Sequence, residues 1–158
     1  GSERVRRLNG KVFTNGELIN LLDSLNLYGV FALIYFSLNL PGETDETLED
    51  SIALAEEICQ LYPASRLRIL SSCHTLDPLS PMALHPEKYA IDVTMRSFDD
   101  WYTYCRETQL GGPAARTEAH RGFALHGPAA RSLEAMADRW DAARQGHEES
   151  WWPIPPSW

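Results

Sequence analysis

Few side chains in this sequence have chemical reach, and they are scattered. Cys73 and His74 stand side by side at the end of an apolar stretch, and Glu43 opens the acidic run Glu43 to Asp50. A Cys–His pair is not a metal site by itself, because zinc takes four ligands in a tetrahedral set. Nor is it a thiol nucleophile without an orienting third group and a pocket. His85, His120, His126 and His147 fall in loop-like sequence without ligand spacing and read as surface residues. The chain has three cysteines, Cys59, Cys73 and Cys105, and the nearest two are 14 positions apart. An odd, dispersed set suits a reducing compartment better than a disulfide framework, so a cytoplasmic location is expected. No phosphate loop, GxSxG elbow or paired-carboxylate site occurs. The acidic run then reads as a helix start with a solvated face.

The elements that must position these residues lie between residues 30 and 72. Val30 to Leu40 is a nearly unbroken apolar and β-favouring run, the pattern of a strand covered on both faces. Pro41-Gly42 breaks it. Thr44 is placed to cap a helix, with Asp45 and Glu46 in the first turn, where negative charge suits the helix dipole. Leu48, Ile52, Ala55, Cys59 and Tyr62 follow at helical spacing, and Pro63 stops the helix. Arg66 to Ser72 is the natural second strand of a βαβ unit. The expected class is α/β.

Composition narrows the function classes. The chain has 158 residues, 44% hydrophobic and 23% charged, an ordinary balance for one modest core. A net charge of −8 argues against a nucleic-acid partner, which needs clustered Lys and Arg. No apolar run reaches the ~18 residues of a membrane-spanning helix, no signal peptide is expected, and Gly1-Ser2 resembles the scar of a removed tag.

Elsewhere the patterning is local. Arg4, Arg6, Arg7 and Lys11 make a basic start on an acidic chain, read as a solvated arm leading into a helix rather than an anion site. Thr14 with Glu17 matches a capping box, Leu18, Leu21, Leu22 and Leu25 form a stripe, and Gly29 is the expected stop. Residues 73–97 hold three prolines and no period, so they read mostly as loop. Ser97 is placed to cap a helix whose Phe98, Trp101, Tyr102 and Cys105 share one side, read as core packing. Residues 108–127, bounded by Gly-Pro pairs, read as a linker with a short helix near Ala114 to His120. Residues 128–158 read as a helix with Leu133, Met136, Ala137 and Trp140 on one face, stopped by Gly146, then a Trp/Pro-rich tail. Trp151, Trp152 and Trp158 are too apolar to leave in water, so the tail is expected to pack on the domain or on a second copy, with proline recognition by a partner as the lesser alternative.

Three segments in order carry a resemblance. Leu40-Pro41-Gly42-Glu43-Thr44 closely resembles the LPGET turn of radical S-adenosylmethionine enzymes. Asp77-Pro78-Leu79-Ser80-Pro81-Met82, with His85-Pro86-Glu87-Lys88-Tyr89, is similar to the "PGSP…PEKYGI" segment of the cobalamin-dependent branch. Arg7-Leu8-Asn9-Gly10-Lys11 and Thr14-Asn15-Gly16-Glu17-Leu18 resemble its "LNGK…SNEEL" stretch. The resemblance spans roughly residues 5–107.

It implies the C-terminal fragment of a partial (β/α) TIM-type barrel with parallel strands, residues 1–107, followed by C-terminal helices. The intact enzyme would use S-adenosylmethionine, a four-iron four-sulfur cluster and cobalamin. It would make a deoxyadenosyl radical, or methylate an unreactive carbon or phosphorus. The cluster's CxxxCxxC loop does not occur here, so the missing partners would be N-terminal cluster- and cobalamin-binding parts. This chain alone is expected to be inactive and to hold none of these cofactors. Carried over, Leu38, Asn39, Pro41 and Gly42 would lie near the nucleoside, with Ser71 and Ser72 across from them. Glu43 would either satisfy helix N-terminal amides or touch a ribose hydroxyl. Asn39 stands where the family usually has glycine. Residues 73–90 would face the substrate, and His74 is the candidate substrate contact or proton donor. Two alternatives stay open. One is a non-catalytic dimerisation or interaction module, with a homodimer as its expected assembly. The other is a radical enzyme of the methylthiotransferase or coproporphyrinogen-oxidase type, which shares the PGET turn without cobalamin, although the PEKY segment argues against it.

Overall fold

Local signals start and stop the helices where short-range chemistry dictates. The computed structural model describes residues 1–109, 121–126 and 133–154. Helix α1 (Glu3–Leu8) buries Val5, so the basic start is helical rather than a loose arm. Its Arg4 reaches across to donate to Gly42 O at 2.9 Å. In α2 (Asn15–Leu27), Thr14 and Glu17 form the reciprocal box, with Thr14 N–H on Glu17 Oε2 at 2.7 Å and Glu17 N–H on Thr14 Oγ1 at 3.1 Å. The helix ends in a Schellman motif. Gly29 takes φ +68°, its N–H donates to Asn26 O at 3.0 Å, and Val30 N–H donates to Leu25 O at 3.0 Å.

Strand β1 (Ala32–Leu38), helix α3 (Asp45–Leu61) and strand β2 (Leu67–Cys73) form the central unit. The strands pair in parallel, in register from Ala32↔Leu67 to Leu38↔Cys73. That register puts Ala32, Ile34, Phe36 and Leu38 on one face with Leu67, Ile69, Ser71 and Cys73. This face joins Leu48, Ile52, Ala55 and Ile58 of α3 in the main core. Helix α7 (Leu133–Ala143) adds Met136, Ala137 and Trp140, the stripe expected from its spacing. Trp140 lies 5.1 Å from the Phe36 ring, and Arg139 pairs with Glu49 of α3.

The opposite face of the sheet departs from expectation. Leu33 and Tyr35 are 59% and 54% exposed. The run Val30 to Leu40 reads as buried on both faces because both faces are apolar, but the described helices cover only one. On the open face the Tyr35 hydroxyl meets Ser72 Oγ, and the Arg68 guanidinium lies 5.7 Å from the Phe31 ring and 5.6 Å from the Trp152 ring. Trp151 and Ile154 are buried in the core, as expected of the Trp-rich tail, but Trp152 is 47% exposed against that expectation, and Trp158 lies outside the described residues. Ile69 N–H donates to Ser150 O at 2.7 Å and Trp152 N–H to Ile69 O at 3.0 Å, so this segment straps the outer edge of β2. Among the described residues β1 has β2 as its only strand neighbour.

A second, smaller cluster follows. Within 73–97, α4 (Pro81–Leu84) and α5 (Pro86–Tyr89) are single turns with proline at the start, and β3 is Ile91–Val93. β3 pairs antiparallel with β4 (Phe123–Leu125), which lies inside the stretch that reads as linker; the expected short helix near Ala114 to His120 lies outside the described residues. Leu76, Met82, Ile91 and Phe123 are its core. Helix α6 (Phe98–Gln109) is capped by Ser97, whose Oγ accepts from Asp100 N–H at 3.2 Å. Its aromatic stripe is not core. Phe98 is 80% and Tyr102 56% exposed, Cys105 is exposed, and only Trp101 packs on the smaller cluster. No described helix is long and apolar enough to cross a membrane.

Candidate functional site

The corner after β1 is a type II turn. Pro41 occupies its second position and Gly42 its third at φ +80°, and Glu43 N–H donates to Leu40 O at 3.0 Å. Gly42 is required there, since a side chain at this φ is strained and a Cβ would come 2.8 Å from Leu8 Cδ2. Asn39, one residue into the exit from the strand, has φ +60°. That is the left-handed region, in which asparagine is the commonest substitute for glycine. Asn39 thus holds a conformation that glycine adopts readily. Glu43 is buried, and its Oε2 accepts the Asn39 N–H across the corner. Thr44 and Thr47 cap α3 reciprocally.

A cavity of about 470 Å³ lies beside this corner. That is within the usual range for small-molecule sites, roughly 300–1,000 Å³. One wall is β1 and its exit, including Ser37, Leu40 and Glu43; the facing walls come from residues 1–18 and from His74, Met82 and Tyr89. It therefore opens at the carboxyl ends of the parallel strands, where open α/β sheets hold ligands, and runs back along the free edge of β1. The segment 80–89 is held in place through the smaller cluster, in which Met82 packs with Phe123 and Leu76.

Of the residues singled out by sequence, Glu43 and His74 reach this cavity. Leu38 and Pro41 are buried behind it, Gly42 is half-buried, and Ser72 bonds Tyr35 on the open face of the sheet. Asn39 Nδ2 and Ser71 Oγ are both buried and have no hydrogen-bond partner among the described residues. Such orphaned groups are uncommon in native interiors, and these two sit at the ends of neighbouring strands. His74 is tied by its backbone N–H to Leu38 O at 2.8 Å, and its ring lies 6.2 Å from Phe123. Burial, then the Lys11 charge, lowers the imidazole pKa from its ordinary value, which favours the neutral ring. Cys73 is buried, and no group of three metal-binding side chains occurs among the described residues.

Sequence reasoning missed the other contributors to the cavity. Phe13 and Leu54 belong to separate segments and carry no shared motif, whereas Ser80, Met82 and Tyr89 lie in the segment 73–90 that the resemblance places toward a substrate. Lys11 had one signal, its place in a basic cluster on an acidic chain. No protein-family model, no curated protein and no solved structure matches the chain.

Proposed function

We propose that this chain supplies closing strands and one wall of the S-adenosylmethionine site in a radical S-adenosylmethionine enzyme, of the cobalamin-dependent branch. The observation that carries the reading is the parallel β1–α3–β2 unit with a Pro-Gly corner at the carboxyl end of β1 and a cavity opening beside it. In a partial (β/α) barrel, helices cover the outside of such a unit. Leu33, Tyr35 and Arg68 would then face the barrel interior, which agrees with the exposure of Leu33 and Tyr35 on the sheet face away from α3. Leu38, Asn39, Pro41 and Gly42 would form the nucleoside wall, with Ser71 and Ser72 opposite. The orphaned Asn39 amide supports a polar partner at this place, whereas the Ser71 hydroxyl lies on the α3 face of the sheet. His74, on the cavity wall, would contact substrate or pass a proton.

The chain's own residues do not fit the four-iron four-sulfur cluster. Its three cysteines lie on α3, at the end of β2 and on α6. A cluster bound through cysteine thiolates needs them converging on one point, so the reading assigns it to residues outside this sequence, and no step is derived through it. The encoded sequence upstream tests the class: a CxxxCxxC there is expected, and its absence would remove the reading.

A second reading has its own observation. The free edge of β1 beside exposed Leu33 and Tyr35 is a surface that could pair with a second copy. The mass in solution separates the two: a monomer at micromolar concentration supports the first, and a tight dimer supports an interaction module.

A further inference from the structure

The cavity wall has a charge balance opposite to that of the chain. The chain carries −8 overall, yet the charged side chains on the wall are Arg6, Lys11 and Glu43, with His74 beside them. Two of these are already engaged. Arg6 donates to Gly1 O at 2.9 Å and Asn15 Oδ1 at 2.7 Å and stacks 4.7 Å from the Phe13 ring centre. Glu43 holds the Asn39 N–H. Lys11 is exposed, and among the described residues neither its ammonium nor the His74 ring has a hydrogen-bond or ion-pair partner. Both line the same cavity. The rest of the wall is mixed: Phe13, Leu33, Leu40, Leu54 and Met82 give it apolar surface, with Asn9, Ser37, Ser51 and Ser80 among them.

We infer that the cavity binds an amphipathic anion, with a single carboxylate or phosphate head at Lys11 and His74 and an apolar body against Phe13, Leu40 and Met82. A neutral apolar ligand would cover the walls but gain no charge pairing from the ammonium. A bare inorganic anion would meet the ammonium and gain nothing from the walls. The basic start of the chain is thus divided: Arg4 and Arg6 hold the fold, and Lys11 faces a ligand. The inference rests on the cavity alone and does not depend on the radical-enzyme reading.

Titration calorimetry of the whole chain with octanoate, octyl phosphate, octanol and inorganic phosphate tests it. At least one octyl anion is expected to bind about tenfold or more tighter than octanol, equivalent to about 1.4 kcal/mol, with no measurable binding of inorganic phosphate. Octanoate as the tighter anion assigns the head to a carboxylate, and octyl phosphate assigns it to a phosphate. Lys11→Gln should erase the preference over octanol while leaving the melting temperature unchanged, because Lys11 is exposed. In NMR titrations the anion should raise the His74 midpoint. Octanol binding as tightly as both anions, neither anion binding, or K11Q keeping the preference would each overturn the inference.

Discussion

Trp151→Ala is expected to cost about 3–5 kcal/mol, the range for removing a buried tryptophan. Its side chain is fully buried and meets Trp140 edge-on at 4.8 Å between ring centres. Both rings belong to the core that also holds Leu67 and Ile69 of β2. The loss has a second component, because Ser150 to Trp152 strap the β2 edge through two backbone hydrogen bonds at Ile69. At roughly 2–4 °C per kcal/mol for a domain of this size, the melting temperature should fall by about 6–20 °C. Trp152→Ala is the control. That residue is 47% exposed and its main partner is the Arg68 guanidinium 5.6 Å away, so its loss should cost about 1 kcal/mol. Urea unfolding of both variants decides the point. Equal midpoints would mean that the strap does not hold the core. Hydrogen exchange at the Ile69 amide should rise in W151A first.

Gly122→Ala should be the next most damaging single change, at about 3 kcal/mol. Gly122 sits at φ +78°, where a Cβ is strained on its own account. The added carbon would also come 2.3 Å from Met95 Cε and 3.1 Å from Leu76 Cβ. Met95 can swing away, but Leu76 is buried in the smaller cluster and cannot. Gly10→Ala isolates the first effect, because Gly10 has φ +80° and open space around it, so only about 1–2 kcal/mol is expected there. The difference between the two variants measures the clash. Because Gly122 O accepts from Thr94 and Met95 N–H groups, the substitution should also loosen the unit behind Met82 and residues 80–89. A G122A protein as stable as G10A would show that this cluster is not tightly packed.

What could be read in the sequence was short-range. The Thr14–Glu17 box, the Gly29 stop and the Pro41-Gly42 turn are decided by residues within five positions of one another, and all three are present. The parallel pairing of β1 and β2 follows from a helix of 17 residues between two apolar runs, since such a connection is long enough for a crossover. Burial was less legible. Phe98, Tyr102 and Cys105 have helical spacing, but spacing names a face and not what covers it, and here the face is open. Leu33 and Tyr35 are the same case in a strand. Single-turn helices such as Pro81–Leu84 are too short to show a period. The cavity was illegible because its walls come from segments 1–18, 33–43, 51–54 and 74–89, which only the fold brings together. The Asn39 departure became intelligible only with its φ of +60°.

The most direct measurement is anaerobic release of deoxyadenosine from S-adenosylmethionine by protein that includes the encoded upstream sequence, reconstituted with iron and sulfide. Release by that protein is expected, none by this chain alone, and a marked loss on Gly42→Val, which strains the Pro-Gly corner proposed to line the nucleoside. An upstream sequence without CxxxCxxC and a reconstituted protein that leaves S-adenosylmethionine intact would contradict it.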